Sequence, residues 1–306
     1  MARGVYYSEF GGPDVLQVGE VEPLPMGPDT VRLRVAGAGI NPVDWKIMRG
    51  FLAGAFEHHF PVVPGWDVAG EVLEVGPSVP ELRPGDTAYG YARLDVIGHG
   101  TAAEEVVLPI RTLAKAPTTI DLVTAAAVPL AGLTAFQLIR RLDIQPGETV
   151  LVHNAAGGVG QFAVQYARLA GARVIGTSSR NHEHLRDLGV EPVPYGEGMS
   201  EAVRAITGEV DVVVDLIGGV LDASDALLAE GGRVGSITDA VGAHKRGGVY
   251  VFVRPSRDDL IEIAQLIDTG DVKVDLAGTM TFNEAAAAYE RLENGHVRGK
   301  LVLVPR

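Results

Sequence analysis

The pattern of apolar and polar positions divides the chain into two parts of different texture. Up to about residue 117, short alternating or β-branched runs, such as residues 31–36, 68–75 and 104–108, are separated by glycine and proline signals such as Pro84-Gly85-Asp86. Alternation over so few residues predicts half-buried strands, and dense turn signals are typical of strands that follow one another closely. The first part is therefore predicted to be a compact, irregular β domain of barrel type.

From residue 118 onward, apolar runs alternate with helical segments. A helix is predicted over residues 122–142, and strands are predicted at 149–153, 173–177 and 211–216. Strands that alternate with helices are typical of right-handed βαβ units and a parallel sheet. Further predicted segments are strands at 233–237, 250–253 and 300–304 and helices at 158–169, 182–188, 257–269 and 283–292. Periodicity leaves open whether the last segment, from residue 278, extends this sheet or returns to the first domain.

The composition limits the number of domains and the kinds of partner and metal site that can be expected. The 306 residues predict about two domains at roughly 100–200 residues each. The 39 acidic and 26 basic side chains leave a net charge of −13, which argues against a nucleic-acid partner. The absence of cysteine excludes disulfides and cysteine-ligated metals, and it agrees with a cytoplasmic location. No signal peptide is recognised at the start, and no apolar run of about 18 residues predicts a membrane span.

The strongest chemical signal is a glycine-rich turn, His153-Asn154-Ala155-Ala156-Gly157-Gly158-Val159-Gly160, between a β-branched strand and a helix. The first small residue allows the tight turn, Gly157 lets the backbone approach a pyrophosphate, and Gly160 lets the helix pack on the strand. The helix N-terminus then presents free N–H groups to the anion. The candidate cofactor-binding residues of this turn are Ala155, Gly157, Gly158, Val159 and Gly160. The alternative interpretation is an ordinary glycine-rich turn.

The end of the next strand indicates which dinucleotide binds. A carboxylate about 20 residues beyond the glycines would bind the ribose 2′-hydroxyl of NAD. The segment Thr177-Ser178-Ser179-Arg180-Asn181-His182 contains no acid there. Serine hydroxyls and an arginine favour a 2′-phosphate, so NADP(H) is the predicted cofactor. Alternatively, Arg180 is a solvated loop charge.

Metal and nucleophile candidates are weak. His58-His59 is the only adjacent histidine pair, and neighbouring side chains point in different directions, so the pair chelates poorly. No metal site is predicted. No G-x-S-x-G motif is present, so a serine elbow is not expected either.

These residues, together with six ordered motifs, give a resemblance that covers nearly the whole chain. The motifs are Gly39-Ile40-Asn41-Pro42-Val43-Asp44-Trp45-Lys46, Phe60-Pro61-Val62-Val63-Pro64-Gly65-Trp66-Asp67-Val68-Ala69-Gly70, Val75-Gly76 with Pro84-Gly85-Asp86, Leu130-Ala131-Gly132-Leu133-Thr134-Ala135, the glycine-rich turn, and Gly299-Lys300-Leu301-Val302-Leu303-Val304. The chain resembles the medium-chain dehydrogenases/reductases, and it is most similar to their zinc-free quinone oxidoreductase (zeta-crystallin-like) branch.

The resemblance implies an α/β fold in which a GroES-like β-barrel domain is joined to a Rossmann domain with a doubly wound parallel sheet. The implied domains are residues 1–117 and 118–277, with 278–306 returning to the first domain. Zinc-dependent relatives carry a cysteine near Asn41 and Gly-His-Glu near Gly65. This chain has Asn41 and Gly65-Trp66-Asp67 there, so zinc catalysis is not expected.

The resemblance also carries site residues, in a cleft expected between the domains. Asn41 and Lys46 are the candidate catalytic residues. The implied cofactor-binding residues, beyond the turn, are Thr134 near the nicotinamide, Ser178, Arg180 and Tyr195 on the adenosine-phosphate side, and Ile217, Phe252 and Val253 beside the nicotinamide ring. Residues 50–59 and 94–99 are expected to set acceptor size. Alternatively, Asn41-Pro42 only builds a turn, Lys46 is a solvated charge, and Asp44 and Asp67 hold loops by hydrogen bonds.

The implied activity is hydride transfer from NADPH to a small-molecule electron acceptor, a quinone or an alkene conjugated to a carbonyl. Lys46, Asn41 or the cofactor's 2′-hydroxyl is expected to stabilise the developing oxyanion, with water as the proton source. Two alternatives stay open: an NADPH-binding structural or regulatory protein with little turnover, and a zinc-independent alcohol or carbonyl oxidoreductase. The resemblance also implies a homodimer formed through the sheet edge near residues 250–253.

Overall fold

The structure, a computed structural model, describes residues 1–295 and 297–306. The strands are, in chain order, β1 (Ala2–Tyr6), β2 (Gln17–Val21), β3 (Thr30–Ile40), β4 (Glu57–Val63), β5 (Asp67–Val75), β6 (Thr87–Tyr91), β7 (Val96–His99), β8 (Glu105–Pro109), β9 (Leu113–Lys115), β10 (Thr149–Val152), β11 (Arg173–Thr177), β12 (Glu191–Val193), β13 (Val210–Asp215), β14 (Leu228–Ser236), β15 (Val249–Tyr250), β16 (Leu276–Thr281) and β17 (Lys300–Val304). The helices are α1 (Pro42–Met48), α2 (Leu122–Ala125), α3 (Pro129–Leu142), α4 (Gly160–Leu169), α5 (His182–Asp187), α6 (Met199–Ile206), α7 (Leu221–Ser224), α8 (Ala240–Lys245), α9 (Arg257–Asp268) and α10 (Ala285–Glu293). Single turns of 3-10 helix occupy Pro13–Val15, Ile110–Thr112, Asp225–Leu227 and Phe282–Glu284.

The chain forms two compact units, which divide it at different residues from the predicted domains. The first unit comprises residues 1–130, 255–270 and 274–306, and the second comprises 131–254 and 271–273. Helix α9, assigned to the second domain from sequence, lies in the first unit. The Tyr89 hydroxyl of β6 donates a 2.5 Å hydrogen bond to the carbonyl of Leu260 in α9, and Leu260 is fully buried. An amphipathic pattern predicts an apolar face but not the surface that covers it.

The first unit is built on a seven-stranded sheet with the path β16-β17-β3-β5-β6-β9, to which β8 adds by pairing with β3. Strand β3 carries the alternation noted in the sequence, and Val31, Leu33 and Val35 are buried on its inner face. The C-terminal strand β17 pairs antiparallel with β3, in the register Leu301 to Ile40. This pairing joins the C-terminal strand to a strand from the first part of the chain in one sheet.

The second unit contains a six-stranded parallel sheet in the order β12-β11-β10-β13-β14-β15. The β-branched run of β13 lies in the middle, and residues 212–215 are buried, as expected for a strand that is covered on both faces. The chain runs outward from β10 in one direction through β11 and β12, and in the other through β13 to β15. The predicted β domain followed by a parallel α/β domain is confirmed.

Several predicted elements differ in extent from the observed ones. The helix predicted over residues 122–142 is divided into α2 and α3, with Pro129 as the first residue of α3. A proline restricts the residue before it and supplies no N–H, so it starts a helix more readily than it continues one. The strand predicted at 250–253 is only Val249–Tyr250. In the part of the chain that the structure describes, no helix is long and apolar enough to span a membrane.

Candidate active site

The glycine-rich turn has the backbone geometry that its sequence predicts. Strand β10 ends at Val152, the Ala155 N–H donates to the carbonyl of Thr177, and α4 begins at Gly160. A Cβ on Gly160 would lie 2.2 Å from the Asn154 carbonyl oxygen, so only glycine permits this approach of helix to turn. The three atoms nearest to a Cβ on Gly157 would all belong to the Asn154 side chain, the nearest at 2.7 Å. Gly157 thus leaves a backbone surface that a pyrophosphate can approach.

Most of the predicted cofactor-binding residues lie just beyond the carboxyl ends of parallel strands in the second unit. The turn residues, including Gly158 and Val159, follow β10; Ser178 and Arg180 follow β11; Tyr195 follows β12; Ile217 follows β13; and Phe252 and Val253 follow β15. Ligands of open parallel sheets bind at this edge, next to the point where the strand order reverses. Tyr195, Ile217 and Phe252 are exposed, with 46%, 43% and 47% of their surface accessible, whereas Val253 and Thr134 of α3 are buried.

The loop after β11 holds Arg180 at the surface with its side chain exposed. The Ser178 hydroxyl donates to the Arg180 carbonyl and accepts from the Arg180 N–H at 3.3 Å. The His182 ring is hydrogen-bonded to the Ser178 carbonyl at 2.9 Å. Ser178 and His182 therefore shape this loop, which leaves the Arg180 guanidinium as the exposed cationic group at the end of β11.

Two polar residues of the second unit were not predicted as site residues. Asp215, the last residue of β13, accepts from the N–H groups of Ile217 and Gly218 at 3.0 and 2.7 Å, and its other oxygen accepts from Ser236. Burial lowers the pKa of His153 to about 4, against the opposing effect of Asp215, so this ring is neutral. The sequence signal that could have identified these residues is a polar residue at the end of an apolar strand, such as Asp215 after the three valines 212–214.

The first unit contains a buried polar cluster, the Lys300 cluster, formed by Lys300, Asn41, Asp67 and the carbonyl of Ile40. Lys300 Nζ donates to the Ile40 carbonyl at 2.9 Å and to Asn41 Oδ1, and it lies 3.4 Å from Asp67 Oδ2. Asn41 Nδ2 donates to Asp67 Oδ2 at 2.8 Å. The accessible fractions of Lys300, Asn41 and Asp67 are 4%, 2% and 0%. Both polar atoms of the Asn41 side chain are therefore engaged inside the protein.

Burial and charge act in opposite directions on the ionisable groups of the Lys300 cluster. Burial raises the pKa of Asp67, whereas Lys300, Asn41 and the N–H of Leu130 hold it down. Burial also lowers the pKa of Lys300, and the negative charge of Asp67 counteracts this. The ion pair lacks solvent, so each charge depends on its partner.

Asp44 lies beside the Lys300 cluster, on the first turn of α1. Asp44 Oδ2 accepts from the Asn41 N–H at 2.7 Å and so caps the helix. This hydrogen bond agrees with the interpretation of Asp44 as a residue that holds its loop. Burial, with a contribution from Asp67, raises the pKa of Asp44 to about 7, against Lys300 and the Asn41 N–H.

Lys46 lies on the same helix but is only partly buried. Its ammonium group lies 5.6 Å from the centre of the Trp45 ring, and Trp45 packs edge-on against Phe51 at 6.1 Å. The segments expected to set acceptor size lie together, because β4 and β7 pair in parallel with Glu57 opposite Val96. The first unit therefore carries an accessible cation and aromatic rings close to these segments along the chain.

A zinc ion does not fit at the positions where zinc-dependent relatives carry their ligands. Asn41 and Asp67 stand there, and the Lys300 ammonium contacts both, so a metal cation would be repelled by a buried positive charge. Within residues 1–295 and 297–306, no three histidine, aspartate or glutamate side chains come together as a metal site. His59 pairs with Glu57 and the His58 ring with the Phe56 carbonyl.

Comparison with known proteins places these observations in a family. Residues 27–118 match the alcohol dehydrogenase GroES-like domain, and residues 188–303 match the zinc-binding dehydrogenase domain. An NADPH-dependent alkenal/one oxidoreductase of Arabidopsis thaliana is 34% identical over 98% of this chain and 78% of its own. The quinone oxidoreductase structure from Coxiella burnetii superposes with a TM-score of 0.88 at 29% identity, covering 100% of this chain and 99% of that one. An NAD-dependent alcohol dehydrogenase structure gives a TM-score of 0.90 at 30% identity, covering 99% and 100%.

Alanine at the two glycines of the turn should separate packing from cofactor binding. Gly160→Ala should lower the free energy of unfolding by about 1–3 kcal/mol, because its Cβ meets backbone atoms that cannot move aside. Gly157→Ala should unfold near the wild-type temperature but bind a dinucleotide more weakly. Thermal unfolding and fluorescence titration measure the two effects. Gly54→Ala, where an added Cβ meets nothing within 4 Å, is the control, and equal stability of Gly160→Ala and this control would contradict the packing argument.

Removal of the buried cation should be costly. Lys300→Met should lower the free energy of unfolding by about 3–5 kcal/mol, because it leaves Asp67 buried without its ion-pair partner. Lys115→Met removes an exposed partner of Asp86, 3.2 Å away, and should cost at most about 1 kcal/mol. Denaturant unfolding of both variants measures the difference. Equal effects would show that the Lys300 pair adds no more stability than a surface pair.

Proposed function

This chain belongs to the medium-chain dehydrogenase/reductase family, and we propose that it is a zinc-free, NADPH-dependent reductase of quinones or of alkenes conjugated to a carbonyl group. The observation that carries the proposal is the Lys300 ammonium between Asn41 and Asp67, which occupies the region of the zinc ligands of related alcohol dehydrogenases. Without a Lewis acid there, the protein is suited to acceptors that are already electron-poor. The predicted fold and oxidoreductase class are confirmed.

The cofactor is NADP(H). The Arabidopsis relative is named as NADPH-dependent, whereas one structural neighbour is named as NAD-dependent, so the residues of this chain have to discriminate. The loop after β11 offers the exposed Arg180 and no carboxylate between residues 177 and 182. A guanidinium attracts a 2′-phosphate, and an acidic side chain there would repel it. Gly157 and the N-terminus of α4 supply the surface for the pyrophosphate.

In this proposal, the residues of the first unit orient the acceptor and stabilise the negative charge that develops on its oxygen. When bound, NADPH supplies the hydride. Lys46 donates a hydrogen bond to the acceptor oxygen as negative charge develops on it, and the Trp45 and Phe51 rings provide apolar surface nearby. Asn41, whose amide is held by Lys300 and Asp67, acts as a positioning residue at the start of α1.

Assembly and location complete the proposal. The reductase acts on small molecules and forms a homodimer through the free edge of β15, which is the last strand of its sheet. Phe252 beside this edge is 47% accessible, which suits a contact surface. The composition without cysteine supports a cytoplasmic location.

A panel of acceptors tests the activity. Purified protein should oxidise NADPH in the presence of quinones or enones, monitored by loss of nicotinamide absorbance, and should leave simple alcohols with NADP⁺ unchanged. Lys46→Met should lower kcat by about 100-fold on every accepted substrate while NADPH binding is kept, because one oxyanion donor is lost. Lys115→Met is the control. Tight NADPH binding without turnover would favour a structural or regulatory protein, and unchanged turnover of Lys46→Met would remove Lys46 from the mechanism.

Arg180 should determine the choice of cofactor. Arg180→Ala should weaken NADPH binding by about 1.5–3 kcal/mol, because a hydrogen bond to a charged group is lost, and should leave NADH binding unchanged. Arg186→Ala, which removes an exposed arginine of α5, is the matched control. Calorimetric titration with both cofactors measures the ratio. Wild-type protein that binds NADH as tightly as NADPH would contradict this assignment.

A further inference from the structure

The first unit contains a cavity to which the proposed function assigns no role. Its wall includes Asp44 from α1, Trp66, and Val96 to His99 of β7. Tyr7, which follows β1, and Val62 of β4 also line this cavity. The cavity therefore includes part of the segment, residues 94–99, that is expected to contact the acceptor.

Asp44 is the acidic group in this wall. The accessible fraction of Asp44 is 3%. Its Oδ2 accepts one hydrogen bond, from the Asn41 N–H at 2.7 Å. No residue among those the structure describes is hydrogen-bonded to Asp44 Oδ1. A buried carboxylate oxygen that accepts no hydrogen bond is unfavourable, because the ionised form loses its hydration without compensation, and this favours the protonated form of Asp44.

The hydrogen bonds also decide which of two buried carboxyl groups carries the negative charge. Asp67 receives N–H donors from Asn41 and Leu130 in addition to the nearby Lys300 ammonium. Asp44 accepts one N–H, whereas the buried Lys300 ammonium lies 3.4 Å from Asp67 Oδ2. One buried cation balances one carboxylate, so the charge stays on Asp67 and the proton on Asp44.

From this geometry we propose that Asp44 is the internal proton donor of the reductase and serves acceptors that must be protonated on carbon. The inference rests on the proposed function. A conjugated alkene that gains a hydride becomes an enolate, whose α-carbon needs a proton. A reduced quinone is protonated on oxygen, which solvent achieves without help. The proposal therefore favours enals and enones as the substrates that need Asp44.

The step balances with water as the final proton source. The hydride and its electron pair enter the β-carbon of the acceptor, and the alkene electrons move onto the carbonyl oxygen. The O–H bond at Asp44 Oδ1 then breaks, a C–H bond forms at the α-carbon, and the carbonyl double bond is restored. The Asp44 carboxylate recovers its proton from water that enters the cavity.

The groups that face Asp44 set the pH range. They are Asp67 of β5, Lys300 of β17, Tyr7 beside β1, Tyr91 of β6, Tyr289 of α10, and His99 across the cavity. Burial raises the pKa values of all three tyrosines, so they stay neutral near pH 7. Because the pKa of Asp44 is about 7, the acid form is lost as pH rises through this value.

The test combines a direct measurement of the proton with kinetics. Infrared difference spectra between pH 6 and pH 8, a range in which ordinary surface carboxyl groups stay ionised, should contain the carbonyl band of a protonated carboxylic acid, and Asp44→Asn should lack it. Wild-type kcat with an enone should fall as pH rises through about 7. Asp44→Asn should lower that kcat by about 100-fold, remove the pH dependence, and keep quinone reduction within a few-fold. NADPH affinity should be unchanged.

Asp86→Asn is the matched control, because Asp86 also accepts the N–H of the residue three positions earlier, Arg83, but lies in a surface turn. It should keep the wild-type pH profile. An ionised Asp44 at pH 6, an Asp44→Asn variant with wild-type enone kinetics, or equal losses with enones and quinones would each overturn the proposal. A wild-type protein that reduces no acceptor would overturn the proposed function itself, and the infrared measurement would still decide the protonation of Asp44.

Discussion

The first unit depends on one buried cation. Lys300, the first residue of the C-terminal strand β17, contacts the carbonyl of Ile40 and the side chains of Asn41 and Asp67. These contacts join the end of β3, the start of α1 and the start of β5 at one point in the interior. Because an unpaired ammonium or carboxylate is costly in a low-dielectric interior, the three segments can move apart only with a large loss of free energy. The position of α1, and with it Asp44 and Lys46, follows from this constraint.

The two units solve different electrostatic problems. In the second unit, the proposed cofactor site consists of the backbone of the glycine-rich turn and the Arg180 guanidinium, at the edge where a parallel sheet leaves room for a ligand. In the first unit, the carboxyl groups of Asp44 and Asp67 are both buried near the Lys300 ammonium group. A reductase needs both features, because it must hold a polyanion firmly and stabilise negative charge on its acceptor.

Most of the fold could be predicted from sequence, because apolar periodicity reports secondary structure and the glycine-rich turn has a local cause. The turn at Ala155 to Gly160 followed from short-range sterics, and the structure has those contacts. Periodicity located α9 but not the unit in which it lies. Asn41 was expected beside the acceptor, and the structure gives it a 2% accessible fraction within the Lys300 cluster. The roles of the site residues therefore stay predictions, since they depend on how side chains share partners.

The sequence by itself determined the class of protein: two domains, a dinucleotide turn, a preference for NADP(H), and the lack of cysteine and histidine where zinc-dependent relatives have ligands. Each of these depends on residue type and on short spacing. Only the tertiary structure decided which side chains share the interior at the positions of those ligands. Lys300 is 259 residues from Asn41 along the chain, and their contact forms only when β17 pairs with β3. Charge sharing among buried groups depends on distance and solvent exclusion, which no local pattern contains.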